Sequence, residues 1–84
     1  MLVRYWITFD GLSSANALSL GCGVTARSKE DALEIVRVQV FDNGNFRVSG
    51  IIENVDISTI TDLHVRPNMG NVLMRGVWFP LGYV

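Results

Sequence analysis

The sequence predicts a small α+β domain in which one helix packs on a three- to four-stranded, mostly antiparallel sheet, in the chain order β-β-α-β-β. Three observations support this class: one segment with the apolar spacing of a helix, four segments rich in β-branched and aromatic residues, and Gly, Asn or Pro between them. One helix beside several strands is typical of an α+β arrangement. Because 84 residues suffice for one hydrophobic core, we expect residues 1–84 to form a single domain.

The first two predicted strands span residues 2–9 and 17–26. In the first, alternation places Tyr5 on an apolar face and Trp6 on a more polar one. In the second, apolar residues alternate with small residues that include two glycines. Because a glycine face of a strand lets an aromatic ring approach closely, we expect one of the chain's two tryptophans to pack over it.

The predicted helix spans residues 28–41. Ser28 is expected to cap its N-terminus, and Asp31, three residues later, to complete a capping box. Acidic residues in the first turn suit the positive end of the helix dipole. Gly44 follows the last apolar residue of this segment and is expected to end the helix in a left-handed conformation.

The last two predicted strands span residues 46–52 and 72–79, with a polar, irregular segment between them. Pro80 ends the final strand because proline has no N–H to donate to a sheet ladder. A helix is about 10 Å wide, and four strands spaced about 4.8 Å apart are wider. We therefore expect part of the sheet to remain open, so that a loop or a second subunit must cover it.

Charge and cysteine content argue against several classes of protein. The formal net charge is −1 and the basic residues form no cluster, so binding to nucleic acid is unlikely and binding to a membrane is not expected. Cys22 is the single cysteine, which excludes an intramolecular disulfide and predicts a reducing, cytoplasmic location. The first residues lack the pattern of a signal peptide.

Two motifs suggest chemistry, and each has a simpler structural interpretation. Residues 21–26 fit the dinucleotide-binding spacing G-x-G-x-x-A, but the glycines fall within a predicted strand and not at the start of a helix. Cys22 and His64 are a conceivable nucleophile and base, although a lone cysteine on an apolar strand face is usually a buried hydrophobic residue. We therefore predict no catalytic residue and no cofactor.

One segment contains the sequence's acid and histidine cluster. Carboxylate and imidazole groups in a loop are possible ligands of a divalent ion, but their spacing matches no EF-hand or zinc pattern. A solvated polar loop is the commoner explanation, and we predict no metal site. The residues of this cluster are Glu53, Asp56, Asp62 and His64.

The composition predicts a surface for association. Hydrophobic residues make up 49 % of the chain and charged residues 18 %, and the C-terminal ten residues carry one charge. We predict a small non-enzymatic protein–protein interaction module, either a homo-oligomer or a partner of another small protein. The candidate interface residues are Trp6, Arg66, Arg75, Trp78, Phe79, Leu81 and Tyr83.

The alternative prediction is a ligand-binding or single-stranded nucleic-acid-binding domain that uses the open sheet face. Aromatic side chains on a sheet can stack on bases, although the acidic balance of this chain disfavours the nucleic acid. The residues of that aromatic platform are Tyr5, Trp6, Phe46 and Trp78.

A turn near the C-terminus suggests a further contact patch. Arg66 and Arg75 flank the sequence Pro-Asn-Met-Gly-Asn. If this turn is a tight hairpin, His64 and Arg75 lie across from one another on the same face, where they would contact an anion or a partner.

Overall fold

A computed structural model describes residues 1–12, 16–60, 62 and 65–81 of the chain. Four strands form one sheet in the order β3-β1-β2-β4, and every neighbouring pair is antiparallel. One helix lies between the second and third strands in the chain, which confirms the predicted α+β class and the order β-β-α-β-β. The elements are β1 (Val3–Phe9), β2 (Cys22–Ala26), α1 (Lys29–Gln39), β3 (Val48–Glu53) and β4 (Gly76–Phe79).

The second strand is shorter than predicted because its first residues form a 3-10 helix. Ala17–Leu20 make this turn, and the side chain of Asn16 caps it by accepting a hydrogen bond from the Leu18 N–H at 2.9 Å. Gly21 then redirects the chain with a φ of 124°, a conformation that disfavours any residue with a Cβ atom. The strand therefore begins at Cys22.

The fourth strand is also shorter than predicted, since it begins at Gly76 and not at Val72. The side chain of Asn71 accepts a hydrogen bond from the Leu73 N–H at 2.9 Å, which favours a turn over an extended strand. The Thr25 hydroxyl donates to the Val72 carbonyl at 2.6 Å and holds this turn against β2.

The helix begins as predicted and ends differently. The Ser28 hydroxyl accepts a hydrogen bond from the Asp31 N–H at 3.1 Å, which confirms the N-cap. The return bond of the predicted capping box reaches one residue earlier, because the Asp31 carboxylate accepts from the Arg27 N–H at 3.0 Å. The prediction that Gly44 supplies the left-handed residue is wrong, because Asp42 and Asn43 have positive φ angles of 51° and 63°. Asn and Asp tolerate this conformation when the side chain is bonded locally.

Apolar residues pack on both faces of the sheet. The face toward α1 buries Tyr5, Ile7 and Val24 together with residues of the helix. On the opposite face, Trp78 and Phe79 pack with described residues between positions 55 and 72. The sheet face that the sequence predicts to be open is therefore covered by a segment of the same chain.

Gly21, just before β2, and Gly23, within it, pack against tryptophans, as predicted. A Cβ atom placed on Gly21 would lie 2.5 Å from Nε1 of Trp6, and one placed on Gly23 would lie 2.4 Å from Cη2 of Trp78. Real Cβ contacts are essentially never shorter than 3.0 Å. A side chain at either position would therefore collide with an indole ring, so both positions require glycine for this packing.

Candidate functional site

The aromatic C-terminal residues belong to the hydrophobic core of the chain. Trp78 and Phe79 are each 1 % exposed, and Pro80 is buried. Half-buried Trp6 stacks on Phe79 with 5.4 Å between ring centroids and lies 5.9 Å from the ring of Trp78. Neither Trp78 nor Phe79 offers surface to a partner in this conformation, whereas Tyr83 lies outside the described residues.

The apolar surface lies beside these core residues. Leu73, Met74 and Leu81 are 67 %, 64 % and 52 % exposed, and we call these three residues the β4 patch. Met74 and Leu81 both line a groove of about 100 Å³, together with Val77 and Gly76 of β4. Exposed apolar side chains that lie together are candidates for an interaction surface.

Backbone hydrogen bonds fix the position of Leu81 in this patch. The Gly70 N–H donates to the Trp78 carbonyl at 2.6 Å, and the Leu81 N–H donates to the Asn68 carbonyl at 3.0 Å. The chain's own residues 68–70 therefore occupy part of the outer edge of β4. These backbone bonds leave less of the β4 edge free to pair with an added strand.

Arg75 is close to the β4 patch but binds within the chain. Its Nε donates to Oδ2 of Asp31 on α1 at 2.9 Å, and a second guanidinium nitrogen binds the other carboxylate oxygen. The hydrogen bonds from Arg75 and from the Arg27 N–H lower the pKa of Asp31 to about 2. The bidentate pair makes this border of the β4 patch electrically neutral.

The predicted hairpin patch is only partly described. Arg66 is exposed, and its guanidinium donates to the carbonyl of Ile60 at 3.0 Å. His64 lies outside the described residues, so the prediction that it lies opposite Arg75 stays a prediction. The structure instead places Arg75 against Asp31, a residue 44 positions away in the chain.

Cys22 has the properties of a structural residue. Its side chain is fully buried on the helix-facing side of the sheet, and burial raises the pKa of the thiol to about 12. A thiol in this environment stays protonated near neutral pH and is a poor nucleophile. The proposed base, His64, lies outside the described residues.

The two motifs that suggested a cofactor and a metal ion have other roles in the described residues. The glycines of the G-x-G-x-x-A spacing contact Trp6 and Trp78 and do not open a helix. No group of three metal-binding side chains occurs within the described ranges. Asp56 instead accepts hydrogen bonds from the N–H and hydroxyl of Ser58 at 3.0 and 2.7 Å, which lower its pKa.

The aromatic platform suggested for nucleic acid is not assembled on one surface. Tyr5 and Trp78 are each 1 % exposed, and they belong to the clusters on opposite faces of the sheet. Phe46 lies at the end of the sheet with Phe9 and Phe41. These residues cannot stack on successive bases without a rearrangement of the core.

The sequence analysis missed a pocket at the end of the sheet. It has a volume of about 580 Å³, and we call it the phenylalanine pocket. Three phenylalanine rings and Leu12 form its apolar part, and polar residues form its rim. A signal was present in the sequence, since Phe41 and Phe46 flank the short turn segment that follows the helix. The lining residues are Phe9, Asp10, Gly11, Leu12, Phe41, Asn45, Phe46 and Arg47.

Comparison with known proteins provides no relative for this chain. No protein-family model, curated protein or solved structure matches it. Within the described residues, no helix is long and apolar enough to cross a lipid bilayer. Functional assignment therefore depends on the surfaces that the fold creates.

Proposed function

We propose that this chain is a small, non-enzymatic protein–protein interaction module that self-associates through the β4 patch. The observation that carries the proposal is the exposure of Leu73, Met74 and Leu81, which are all more than half exposed, with Met74 and Leu81 lining one groove. Removing such side chains from water is favourable, by about 25 cal/mol for each Å² of apolar surface. A second copy of the chain supplies a matching apolar surface.

Electrostatics favours a second copy as the partner. In a two-fold symmetric dimer each residue near the axis approaches the same residue of the other copy, so an unpaired charge there causes repulsion. Arg75 lies next to Met74 in the chain, but Asp31 neutralises its charge through two hydrogen bonds. Two β4 patches can therefore meet without placing uncompensated Arg75 charges against each other.

The interface residues predicted from the sequence contribute in different ways under this proposal. Leu81 contacts the second copy directly, and Arg75 lies at the border of the contact. Trp6, Trp78 and Phe79 pack together in an aromatic cluster, and we expect that cluster to position Leu81, which follows Phe79 by two residues. Arg66 is exposed in the 3-10 turn that also contains Asn68, whose carbonyl accepts a hydrogen bond from the Leu81 N–H.

The alternative function on the open sheet face has less support. That face is covered by described residues between positions 55 and 72, so a ligand or a nucleic acid would have to displace them. We also propose a cytoplasmic location, because the single cysteine is a buried thiol that needs no oxidising compartment.

The test is the mass in solution across a dilution series of about a hundred-fold, measured by light scattering after size exclusion. We expect the wild-type protein to approach the mass of two 9.3 kDa chains at high concentration and to dissociate on dilution. Met74→Lys and Leu81→Lys should each weaken dimerisation at least about ten-fold, because a like charge then faces itself across the axis.

Val38→Lys is the matched control. Val38 is 44 % exposed on α1, outside the β4 patch, and its substitution should leave the dimer unchanged. All three variants should retain the thermal stability of the wild type as monomers, because exposed substitutions usually change stability by less than about 0.5 kcal/mol. A wild-type protein that is monomeric throughout, or a Val38→Lys variant that dissociates equally, would contradict the proposal.

A further inference from the structure

We propose that the phenylalanine pocket binds a small zwitterion with an aromatic side chain, such as a free aromatic α-amino acid. Its volume of about 580 Å³ is within the usual range of small-ligand sites, about 300–1,000 Å³. The pocket lies at the end of the sheet near the C-terminus of β1, and its lining shares no residue with the β4 patch. This binding is independent of self-association.

The apolar part of the pocket presents ring surfaces that are already fixed. Phe41 and Phe46 stack with 4.7 Å between centroids and an interplanar angle of 7°. Phe9 meets both rings edge-on, at centroid distances of 5.1 and 5.9 Å. All three side chains are half-buried, so each keeps exposed surface. A flat aromatic side chain of a ligand can extend this cluster by stacking or by an edge contact.

The backbone of the intervening turn holds the two stacked rings in place. The Gly44 N–H donates to the Phe41 carbonyl at 2.7 Å, and the Asn43 N–H donates to the Arg37 carbonyl at 2.8 Å. The side-chain oxygen of Asn43 also accepts a hydrogen bond from Arg37 at 2.8 Å. Because this turn is bonded to the helix, the site needs little ordering when a ligand binds.

The rim of the pocket carries one acid and one base. The Asp10 N–H donates to the Arg47 carbonyl at 3.0 Å, one residue beyond the last pair of β1 and β3, so the two residues are neighbours at this end of the sheet. Both side chains are exposed, and neither makes a hydrogen bond or ion pair with the described residues. Adjacent opposite charges complement a ligand that carries both an ammonium and a carboxylate group.

This charge arrangement selects against ligands with a single charge. A simple carboxylate is attracted by Arg47 but repelled by Asp10. A simple amine is attracted by Asp10 but repelled by Arg47. A zwitterion satisfies both groups, with its carboxylate on the guanidinium and its ammonium on the Asp10 carboxylate. The Asn45 side chain, also on the rim, can donate or accept a further hydrogen bond.

The test is a titration of the ¹⁵N-labelled protein with L-phenylalanine, followed by amide chemical shifts. We expect saturable shifts confined to residues 9–12 and 41–47, with a dissociation constant on the order of 1 mM, ordinary for a ligand of this size. N-acetyl-L-phenylalanine lacks the ammonium and phenethylamine lacks the carboxylate. Each should bind at least about five-fold more weakly, because one rim contact is lost.

Substitutions on the rim separate the two charge contacts. Asp10→Asn and Arg47→Met should each weaken L-phenylalanine binding at least about five-fold, since each removes one ionic contact and leaves the aromatic part intact. Arg27→Met is the matched control, because Arg27 is also exposed but lies outside the pocket. It should bind the amino acid like the wild type.

The aromatic contact is tested by Phe46→Leu, which retains an apolar side chain and should weaken binding while the amide spectrum remains that of a folded protein. The absence of saturable shifts in the wild type up to about 20 mM L-phenylalanine would overturn the proposal. So would equal binding of N-acetyl-L-phenylalanine, or shifts that map to another surface.

Discussion

Gly23 is the position where one added methyl group should change stability most clearly. In Gly23→Ala the new Cβ would lie 2.4 Å from Cη2 of Trp78 and within 2.5 Å of two more atoms of the same ring. Ordinary van der Waals contacts begin at 3.4 Å, so the ring or the strand must move by about 1 Å. Both are constrained, because Trp78 is 1 % exposed and β2 is a central strand.

The expected cost follows from overpacking of the core. Adding a methyl group to a well-packed interior destabilises by about 1–3 kcal/mol, and reduced freedom of the unfolded chain offsets about 0.4–1 kcal/mol of this. Since neither partner can move freely, we expect Gly23→Ala to lower the free energy of unfolding by about 2 kcal/mol. For a domain of this size the melting temperature should fall by roughly 8–16 °C.

Gly50→Ala is the matched control within the same sheet. A Cβ atom at Gly50 of β3 would approach only the Thr8 hydroxyl, at 3.1 Å, and Thr8 is half-buried beside an edge strand. The side chain can yield by a few tenths of an ångström, so this variant should stay within about 1 kcal/mol of the wild type. Urea unfolding followed by circular dichroism at one protein concentration measures both values.

A double-mutant cycle with Trp78→Phe identifies the responsible contact. The three atoms nearest the added methyl group belong to the six-membered ring of the indole, which phenylalanine does not place there. Gly23→Ala should therefore cost at least about 1 kcal/mol less in the Trp78→Phe background than in the wild type. If the cost is the same in both backgrounds, or if Gly23→Ala is as mild as Gly50→Ala, the proposed packing of Trp78 on β2 is incorrect.

Three further predictions concern the Asp31 ion pair, the buried thiol and the helix cap. The folded pKa of Asp31, about 2, lies below its ordinary value of 3.8, so its contribution is present above pH 4 and is lost as pH falls toward 2. Asp31→Asn should lower the free energy of unfolding by about 1 kcal/mol or less near neutral pH, because water screens the partly exposed ion pair. Between pH 4 and pH 2, the free energy of unfolding of this variant should fall less steeply than that of the wild type. Cys22 should resist thiol labelling in the folded protein and react only on unfolding, whereas rapid labelling of the native state would contradict its burial. Ser28→Ala should lower the free energy of unfolding by about 1 kcal/mol, with Ser28→Asp close to the wild type, and a variant as stable as the wild type would show that the observed cap contributes little.

Several features of the fold could be predicted because they depend on neighbouring residues. The alternation of apolar residues identified β1, and the pattern from Ser28 onward identified α1 and its cap. The small residues of β2 indicated that an aromatic ring would pack on that strand, and Trp6 and Trp78 do so. Each of these inferences uses side-chain spacing that local backbone geometry imposes.

The strand boundaries were predicted less well because side chains competed for backbone groups. Asn16 and Asn71 each accept a hydrogen bond from an N–H two residues later and convert predicted strand residues into turns. The period-two pattern alone does not reveal this competition. The prediction for the C-terminal end of α1 was wrong for a related reason. Asn43 takes the left-handed conformation, and its side-chain oxygen accepts a hydrogen bond from Arg37.

The sequence by itself determined the α+β class, the element order and the need for small residues where an aromatic ring packs on β2. Only the tertiary structure decided which segment covers the second sheet face, that Arg75 pairs with Asp31, and that Phe9 joins Phe41 and Phe46 to form a pocket. Side chains point to the same face every two residues in a strand and about every 3.6 residues in a helix, so a short stretch of sequence is enough to reveal either pattern. Contacts such as the one between Arg75 and Asp31 join residues 44 positions apart, so they depend on how all the elements pack together.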